Sequence, residues 1–219
     1  GAIHSVGDEG GFAPNLFTNV DALPILVETI KEAGFTVGSE LFLGLDVAAS
    51  TFYRDGKYQI KDRSAPLDRD AFITFYSGLN EQFHLALLED PLFEDDWEGW
   101  AKMLSETGEE MLIVGDDLLV TNPERVQKAI ESKSCNAILV KPNQIGTVSE
   151  MLNVVKMARG ANWKVIVSHR SGETNDTVIA DIAVGIAGDY VKFGAPVRGE
   201  RVAKYNRLLA IEAELGLGK

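Results

Sequence analysis

Six side chains able to do acid, base or metal chemistry each end or directly follow a short apolar run. They are three carboxylates, two lysines and a histidine: Asp46, Glu89, Asp116, Lys141, His169 and Lys192. After a longer first gap, they recur about every 25 residues, the length of one strand, one helix and two turns. In a (β/α) barrel the carboxyl ends of the strands form one rim, and that rim carries the active site. The spacing therefore predicts an enzyme.

The three carboxylates, Asp46, Glu89 and Asp116, predict a metal site. Magnesium takes oxygen ligands and is commonly held by a few carboxylates together with substrate oxygens. The chain has no cysteine and histidine spacing that is typical of zinc. The alternative for each single acid is that it caps the helix that follows, since Asp is a common N-cap residue. Three acids at successive strand ends favour the metal.

Lys141 comes directly after the apolar residues 137–140. A lysine at the end of a buried strand loses solvation, so its neutral form becomes accessible and it can act as a general base. A lysine that reaches the surface or pairs with an acid is the alternative interpretation. Lys192 has the same position on the last predicted strand.

Two loops carry further candidate residues. Residues 169–174 combine His169, Arg170 and Ser171 with a glycine ahead of a helix, a composition that can hold a phosphate. An ordinary polar turn is the alternative. Near the start of the chain, Glu9 lies among three glycines and beside Asp8. A shielded carboxyl group there can act as an acid, although the pattern does not distinguish this from a linker.

The elements that position these residues follow from apolar periodicity and turn signals. Strands alternate with helices six times, which predicts parallel strands with helical crossovers. A small hairpin with Asp55 and Gly56 at its turn explains the one long interval. The last helix, over 199–215, places apolar residues such as Leu208 and Leu209 at helical spacing. No linker divides the chain, so we expect one domain.

Six strands are two fewer than a closed barrel requires, so the predicted fold is an incomplete TIM-type (β/α) barrel. Six strands alone would leave two uncovered edges, which tend to associate. The chain is then a fragment, or another chain completes it, or its sheet closes differently.

The composition of the chain disfavours several classes of partner and of protein. The 219 residues carry a net charge of −12, which disfavours a nucleic acid or a membrane surface as partner. Cys135 is the only cysteine, so an internal disulfide is impossible. There is no apolar run of membrane-spanning length, and the first residues lack a secretory signal pattern. These features predict a cytoplasmic enzyme.

Several motifs in the chain resemble those of the enolase family, the phosphopyruvate hydratases of glycolysis. They occur in family order along the whole chain: VGDEGGFAPN at 6–15, GLD at 44–46, LEDP at 88–91 with EDDW at 94–97, GDDL at 115–118, KPNQIGT at 141–147, SHRSGET at 168–174 and RVAKYN at 201–206. So many matches make the resemblance specific. It implies a lyase that dehydrates 2-phosphoglycerate to phosphoenolpyruvate with Mg²⁺.

The resemblance also implies a role for each residue. Asp46, Glu89 and Asp116 match the magnesium ligands. Lys141 matches the base that removes the proton next to the substrate carboxylate, and Glu9 the acid that helps the hydroxyl group leave. Contacts to substrate fall on His169, Arg170, Ser171 and Lys192.

The chain departs from the family pattern at its start. Residues 1–219 resemble the C-terminal part of the barrel, without the N-terminal α+β domain and the first two barrel strands. We therefore expect impaired activity, and a homo-oligomer or completion by another chain. A non-catalytic remnant or binding module that keeps the magnesium site is the alternative. A different lyase or racemase of the superfamily is disfavoured, because such enzymes need no phosphate loop.

Overall fold

The computed structural model describes residues 5–217, and it contains eight strands. The strands are β1 (Leu43–Asp46), β2 (Tyr53–Arg54), β3 (Lys57–Tyr58), β4 (Leu85–Glu89), β5 (Leu112–Gly115), β6 (Ala137–Val140), β7 (Lys164–Ser168) and β8 (Tyr190–Lys192). The helices are α1 (Ala22–Glu32), α2 (Arg69–Phe83), α3 (Trp97–Thr107), α4 (Pro123–Ser132), α5 (Pro142–Ile145), α6 (Val148–Gly160), α7 (Val178–Gly185) and α8 (Gly199–Glu214).

Six of these strands form one sheet in the order β1-β4-β5-β6-β7-β8. The pairs β1 with β4, β4 with β5, and β7 with β8 are parallel. Apart from β2 and β3, strands that are consecutive in sequence are neighbours in this sheet, with helices between them, as in a (β/α) barrel. The predicted fold, an incomplete TIM-type barrel with six strands, is confirmed.

The remaining strands, β2 and β3, form the predicted hairpin after β1. Its turn residues Asp55 and Gly56 both have positive φ angles, 52° and 78°. Two central residues with positive φ are typical of the turn that fits the twist of a two-residue hairpin. The hairpin accounts for the longer sequence interval between the first two barrel strands.

Local sequence signals explain several helix starts. The carboxylate of Asp68 accepts a hydrogen bond from the Ala71 N–H, and Thr147 Oγ1 accepts one from the Glu150 N–H. Both satisfy a donor that the first turn of a helix leaves without an intrahelical partner. No described helix is long and apolar enough to cross a bilayer.

The chain divides into two compact units. The carboxylate unit comprises 16–119 and 127–137, and contains Asp46, Glu89 and Asp116. The lysine unit comprises 5–15, 120–126 and 138–217 of the described residues, and contains Lys141 and Lys192.

Each unit has its own buried apolar side chains. In the carboxylate unit, the rings of Tyr58 and Phe72 stack at a centroid distance of 4.4 Å, and the Tyr76 hydroxyl donates to the Pro91 carbonyl. In the lysine unit, Val167 of β7 and Phe193 after β8 are buried against α7, with residues of α8 packed on the same cluster. Burial of these side chains fixes the strand ends that carry the candidate site.

Candidate active site

Two of the predicted metal ligands end neighbouring strands of the carboxylate unit. Asp46 is the last residue of β1, Glu89 is the last residue of β4, and the two are partners in the strand register. Asp116 follows β5 directly, two residues after Val114, the register partner of Glu89. Glu89 and Asp116 are only 3% and 7% exposed. Carboxylate oxygens of this kind are the donors that magnesium prefers, so the residues fit the ion.

An acidic cluster that the sequence analysis did not single out lies beside them. Carboxylate oxygens of Asp90, Asp116 and Asp117 come within 4.8 Å of one another, an arrangement that could hold a metal ion. The cluster shares only Asp116 with the predicted ligand set. The sequence signals for it were the acid after Glu89 and the second acid after Gly115.

Asp90 connects two strand ends through its side chain. Its Oδ1 accepts the Asp116 N–H at 2.9 Å, and its Oδ2 accepts the Asp117 N–H at 2.8 Å. Burial raises the pKa of Asp90 to about 8, helped by the charges of Asp116 and Asp117 and opposed by the two N–H donors. Because both oxygens already accept backbone hydrogen bonds, Asp90 fits a brace for the Asp116–Asp117 turn better than a metal ligand.

In the lysine unit, the loop that carries Glu9 meets the loop after β7. Glu9 Oε2 lies 3.4 Å from His169 Nε2, and Ser171 Oγ donates to Glu9 Oε1 at 3.5 Å. The Ala195 N–H donates to the Glu9 carbonyl at 2.8 Å and holds this part of the loop. The structure thus brings together three residues that the sequence placed in two separate candidate loops.

His169 is buried at the end of β7, beside the end of β8. Its N–H donates to the Lys192 carbonyl at 2.9 Å, and the preceding Ser168 is the register partner of Lys192. Burial lowers the pKa of His169, the charges of Arg201 and Lys192 lower it further, and those of Glu9 and Glu173 oppose the shift. The neutral imidazole is therefore favoured at neutral pH.

Lys141 leaves β6 where the short helix α5 begins. Its backbone N–H donates to Thr121 Oγ1 at 3.0 Å, and that hydroxyl donates to Gln144 Oε1 at 2.8 Å. Thr121 is fully buried, so this pair of hydrogen bonds fixes the backbone from which the half-buried Lys141 side chain extends. Side-chain chemistry at Lys141 thus starts from a defined position.

Arg170 and Ser171 are exposed, as a group that receives an anion must be. Arg170 Nη1 donates to Asn143 Oδ1 at 3.0 Å, and the Arg170 N–H donates to Glu173 Oε2 at 3.1 Å. A guanidinium and a hydroxyl on successive residues suit a phosphate.

Two buried cations on α8 were also missed by the sequence analysis. Arg201 and Lys204 are both 0% exposed, whereas Leu209 on the same helix is 62% exposed. The helical spacing of the apolar residues predicts instead that Leu209 is buried. The only sequence signal was the motif at 201–206, which had no assigned role.

Two comparisons with known proteins bear on the family of this chain. Residues 2–218 match the family model described as the C-terminal TIM barrel domain of enolase. Over 216 residues the chain is 49% identical to the enolase of Beutenbergia cavernae, covering 99% of this chain and 50% of that protein. The chain therefore spans about half the length of this curated relative.

Proposed function

Because this chain belongs to the enolase family, as its C-terminal TIM barrel domain, we propose that it provides catalytic groups for the dehydration of 2-phosphoglycerate to phosphoenolpyruvate. The observation that carries the proposal is the pair of contacts made by the Glu9 carboxylate. Its Oε2 lies 3.4 Å from His169 Nε2, and its Oε1 accepts a hydrogen bond from Ser171 Oγ at 3.5 Å. An acid, an imidazole and a hydroxyl from distant parts of the sequence converge there. A purely structural loop contact does not require that combination.

Asp46, Glu89 and Asp116 would hold Mg²⁺ in this proposal. The bound ion supplies positive charge that stabilises the extra negative charge on the substrate carboxylate. The three residues themselves contribute hard oxygen donors on consecutive strand ends of the carboxylate unit. The nearby Asp90 keeps the Asp116 backbone in place.

Lys141 would remove the proton from the carbon next to the substrate carboxylate. A base must hold its proton-accepting atom at a defined position, and the Thr121 and Gln144 hydrogen bonds fix the backbone at Lys141. Lys192 would place a second positive charge near the carboxylate as negative charge builds up.

Glu9 would protonate the leaving hydroxyl group, so that it departs as water. His169 and Ser171 lie against its two carboxylate oxygens and orient them. Arg170 and Ser171 would bind the phosphate of the substrate, with His169 as a further substrate contact. Each of these roles is a proposal for this chain.

The setting of the reaction belongs to the same proposal. A glycolytic role fits the cytoplasm. Cys135, the single cysteine, is free and buried, which fits a reducing compartment. We also propose that the protein is a homo-oligomer or that another chain completes its site. The second candidate function is a binding module that keeps the metal site without turnover, which the exposed loop residues Arg170 and Ser171 also allow.

Formation of phosphoenolpyruvate, followed by its ultraviolet absorbance, tests the proposal. We expect little turnover from the chain alone, and restoration when the N-terminal half of the Beutenbergia cavernae enolase is added with Mg²⁺. Lys141→Ala should abolish the restored activity, whereas Lys156→Ala, an exposed lysine on α6, should leave it intact.

Loss of activity in both lysine variants, or none in either, would contradict the role of Lys141. Magnesium binding without turnover, even with the added half, would favour the binding module.

A further inference from the structure

Arg201 joins three parts of the lysine unit through one buried guanidinium. Its Nε and Nη2 donate to the Asp8 carbonyl at 3.3 and 2.8 Å, and Nη2 also donates to the Ser171 carbonyl at 2.9 Å. Its Nη1 contacts the Arg170 carbonyl at 2.7 Å and His169 Nδ1 at 2.6 Å. An arginine has five N–H donors, so these contacts use all of them. None of the acceptors is a carboxylate.

The contact with His169 decides where the imidazole carries its proton. A guanidinium can only donate, so Nδ1 must offer its lone pair and cannot hold a hydrogen. The neutral ring then carries its proton on Nε2. A doubly protonated ring would turn an N–H against the N–H of Arg201, so the same contact also opposes the charged form.

The other ring nitrogen faces the proposed acid. His169 Nε2 is buried and, within the described residues, makes no hydrogen bond of good geometry, while Glu9 Oε2 lies 3.4 Å away. With the proton on Nε2, this contact is an N–H group facing a carboxylate rather than an ion pair. The Nε2–H is thus left to donate to an oxygen beside Glu9.

We propose that Arg201 is a positioning residue that holds His169 as the neutral tautomer protonated on Nε2 and aims this N–H at the Glu9 side of the site. The same guanidinium fixes the backbone on either side of the site, at Asp8 before Glu9 and at Ser171. The tautomer follows from the contacts alone, and only its catalytic use rests on the proposed function. The acceptor for the Nε2–H is an anionic or hydroxyl oxygen of the bound substrate.

Lys204 provides a matched comparison one helical turn away. It is also fully buried on α8, and its Nζ donates to the carbonyls of Thr174 and Glu200. Glu173 Oε1 lies 3.4 Å from the same nitrogen. Lys204 therefore anchors the loop after β7 without contacting the imidazole.

Nitrogen-15 NMR of the histidine rings tests the proposal directly. The chain has three histidines, and His169→Gln identifies the signal of His169. At pH 7 we expect a neutral ring with the proton on Nε2 and an unprotonated Nδ1. A ring protonated on Nδ1, or on both nitrogens, would overturn the proposal. This measurement needs no variant of Arg201 and no substrate.

Substitutions then separate positioning from folding. In Arg201→Met we expect His169 to populate both tautomers and its pKa to rise, because a buried positive charge and the fixed donor are lost. Arg201→Lys retains a donor and should recover the Nε2 tautomer in part, and Lys204→Met should leave the His169 spectrum unchanged. Equal effects of Arg201→Met and Lys204→Met on that spectrum would show a merely structural role.

The result is independent of the dehydration assay. A chain that shows the expected His169 spectrum but stays inactive even with the added N-terminal half and Mg²⁺ would contradict the proposed function alone. Restored activity with the other tautomer would contradict the role of Arg201 alone.

Discussion

Asp46 and Glu89 are register partners at the ends of the neighbouring parallel strands β1 and β4. Adjacent strands lie about 4.8 Å apart, so the two carboxylates start from backbones within reach of one small cation. Glu89 is only 3% exposed, and like charges at such positions repel each other more strongly than in water. A divalent cation between them removes that repulsion, which gives the pair a physical reason to bind metal.

The first prediction concerns this pair. The double variant Asp46→Ala, Glu89→Ala should bind Mg²⁺ more than about 100-fold more weakly than the parent chain. Loss of a residue that only supports a metal ligand lowers the affinity by about 10- to 100-fold, so a larger loss indicates direct ligands. Calorimetric titration measures the difference. Glu28→Ala, Glu32→Ala on the exposed face of α1 removes the same charge and serves as the control. Equal heats from the parent and the Asp46, Glu89 variant would contradict the assignment.

The strands could be predicted from the sequence because each is a short apolar run with a polar boundary. The observed β4 ends at Glu89, one of the residues expected at a strand end, and β6 matches the apolar run at 137–140. The helix caps at Asp68 and Thr147 are equally local, since in each one side chain accepts a hydrogen bond from one nearby N–H. Such signals need no knowledge of the rest of the chain.

The contacts that hold the site were not predictable in this way. Arg201 binds the carbonyl of Asp8, 193 positions earlier in the chain, and a helical pattern assigns an arginine to the surface. Asp90 likewise braces Asp116 across two strands. Both are polar groups whose burial depends on backbone acceptors or donors from other loops, and periodicity carries no information about those.

Gly194 gives a second prediction, because it lies against the site in a left-handed conformation with φ 82°. A Cβ there would meet the Glu9 carbonyl oxygen at 2.8 Å and the carbon Cε1 of His169 at 2.9 Å. Gly194→Ala should therefore lower the free energy of unfolding by about 2–4 kcal/mol, from backbone strain together with crowding. Urea denaturation measures the loss.

Gly146 separates the two causes. It has φ 99°, and a Cβ added there would meet no atom within 4 Å. Gly146→Ala should therefore lose only the strain contribution, about 1–2 kcal/mol. If the two alanine variants lose the same free energy, Gly194 is not a close-packed contact of the Glu9 loop.

The edge strand β8 leads to a third prediction. It is last in the sheet order, and its residues Tyr190 and Val191 are 52% and 38% exposed. An exposed apolar edge strand is a template for pairing with another chain. The sedimentation coefficient should rise with protein concentration, and Tyr190→Lys should reduce the rise. Leu209→Lys, on the exposed face of α8, is the control for added charge, and concentration-independent sedimentation of the parent chain would contradict the prediction.

The fourth prediction is a dependence of stability on pH at the junction of β7 and β8. Asp189 accepts hydrogen bonds from the Val165 N–H at 2.9 Å, from Lys164 Nζ at 3.0 Å and from Arg159. Burial by itself would raise the pKa of Asp189, but these donors and charges outweigh it and hold the pKa below its ordinary value. The folded state therefore binds this proton less readily than the unfolded state does.

A lowered pKa stabilises the fold fully above the ordinary value of 3.8, and this contribution is lost as the pH falls through the folded value. Between pH 4 and pH 2 the chain should lose about 1.5–3 kcal/mol of unfolding free energy through Asp189, the usual contribution of a hydrogen bond to a charged group. Asp189→Asn should show that loss already at pH 7 and a shallower decline in acid. Asp181→Asn removes the more exposed ion pair with Arg207, so it should have a smaller effect. Urea denaturation across this pH range measures all three proteins, and parallel curves for the parent and Asp189→Asn would show that Asp189 does not carry the acid sensitivity.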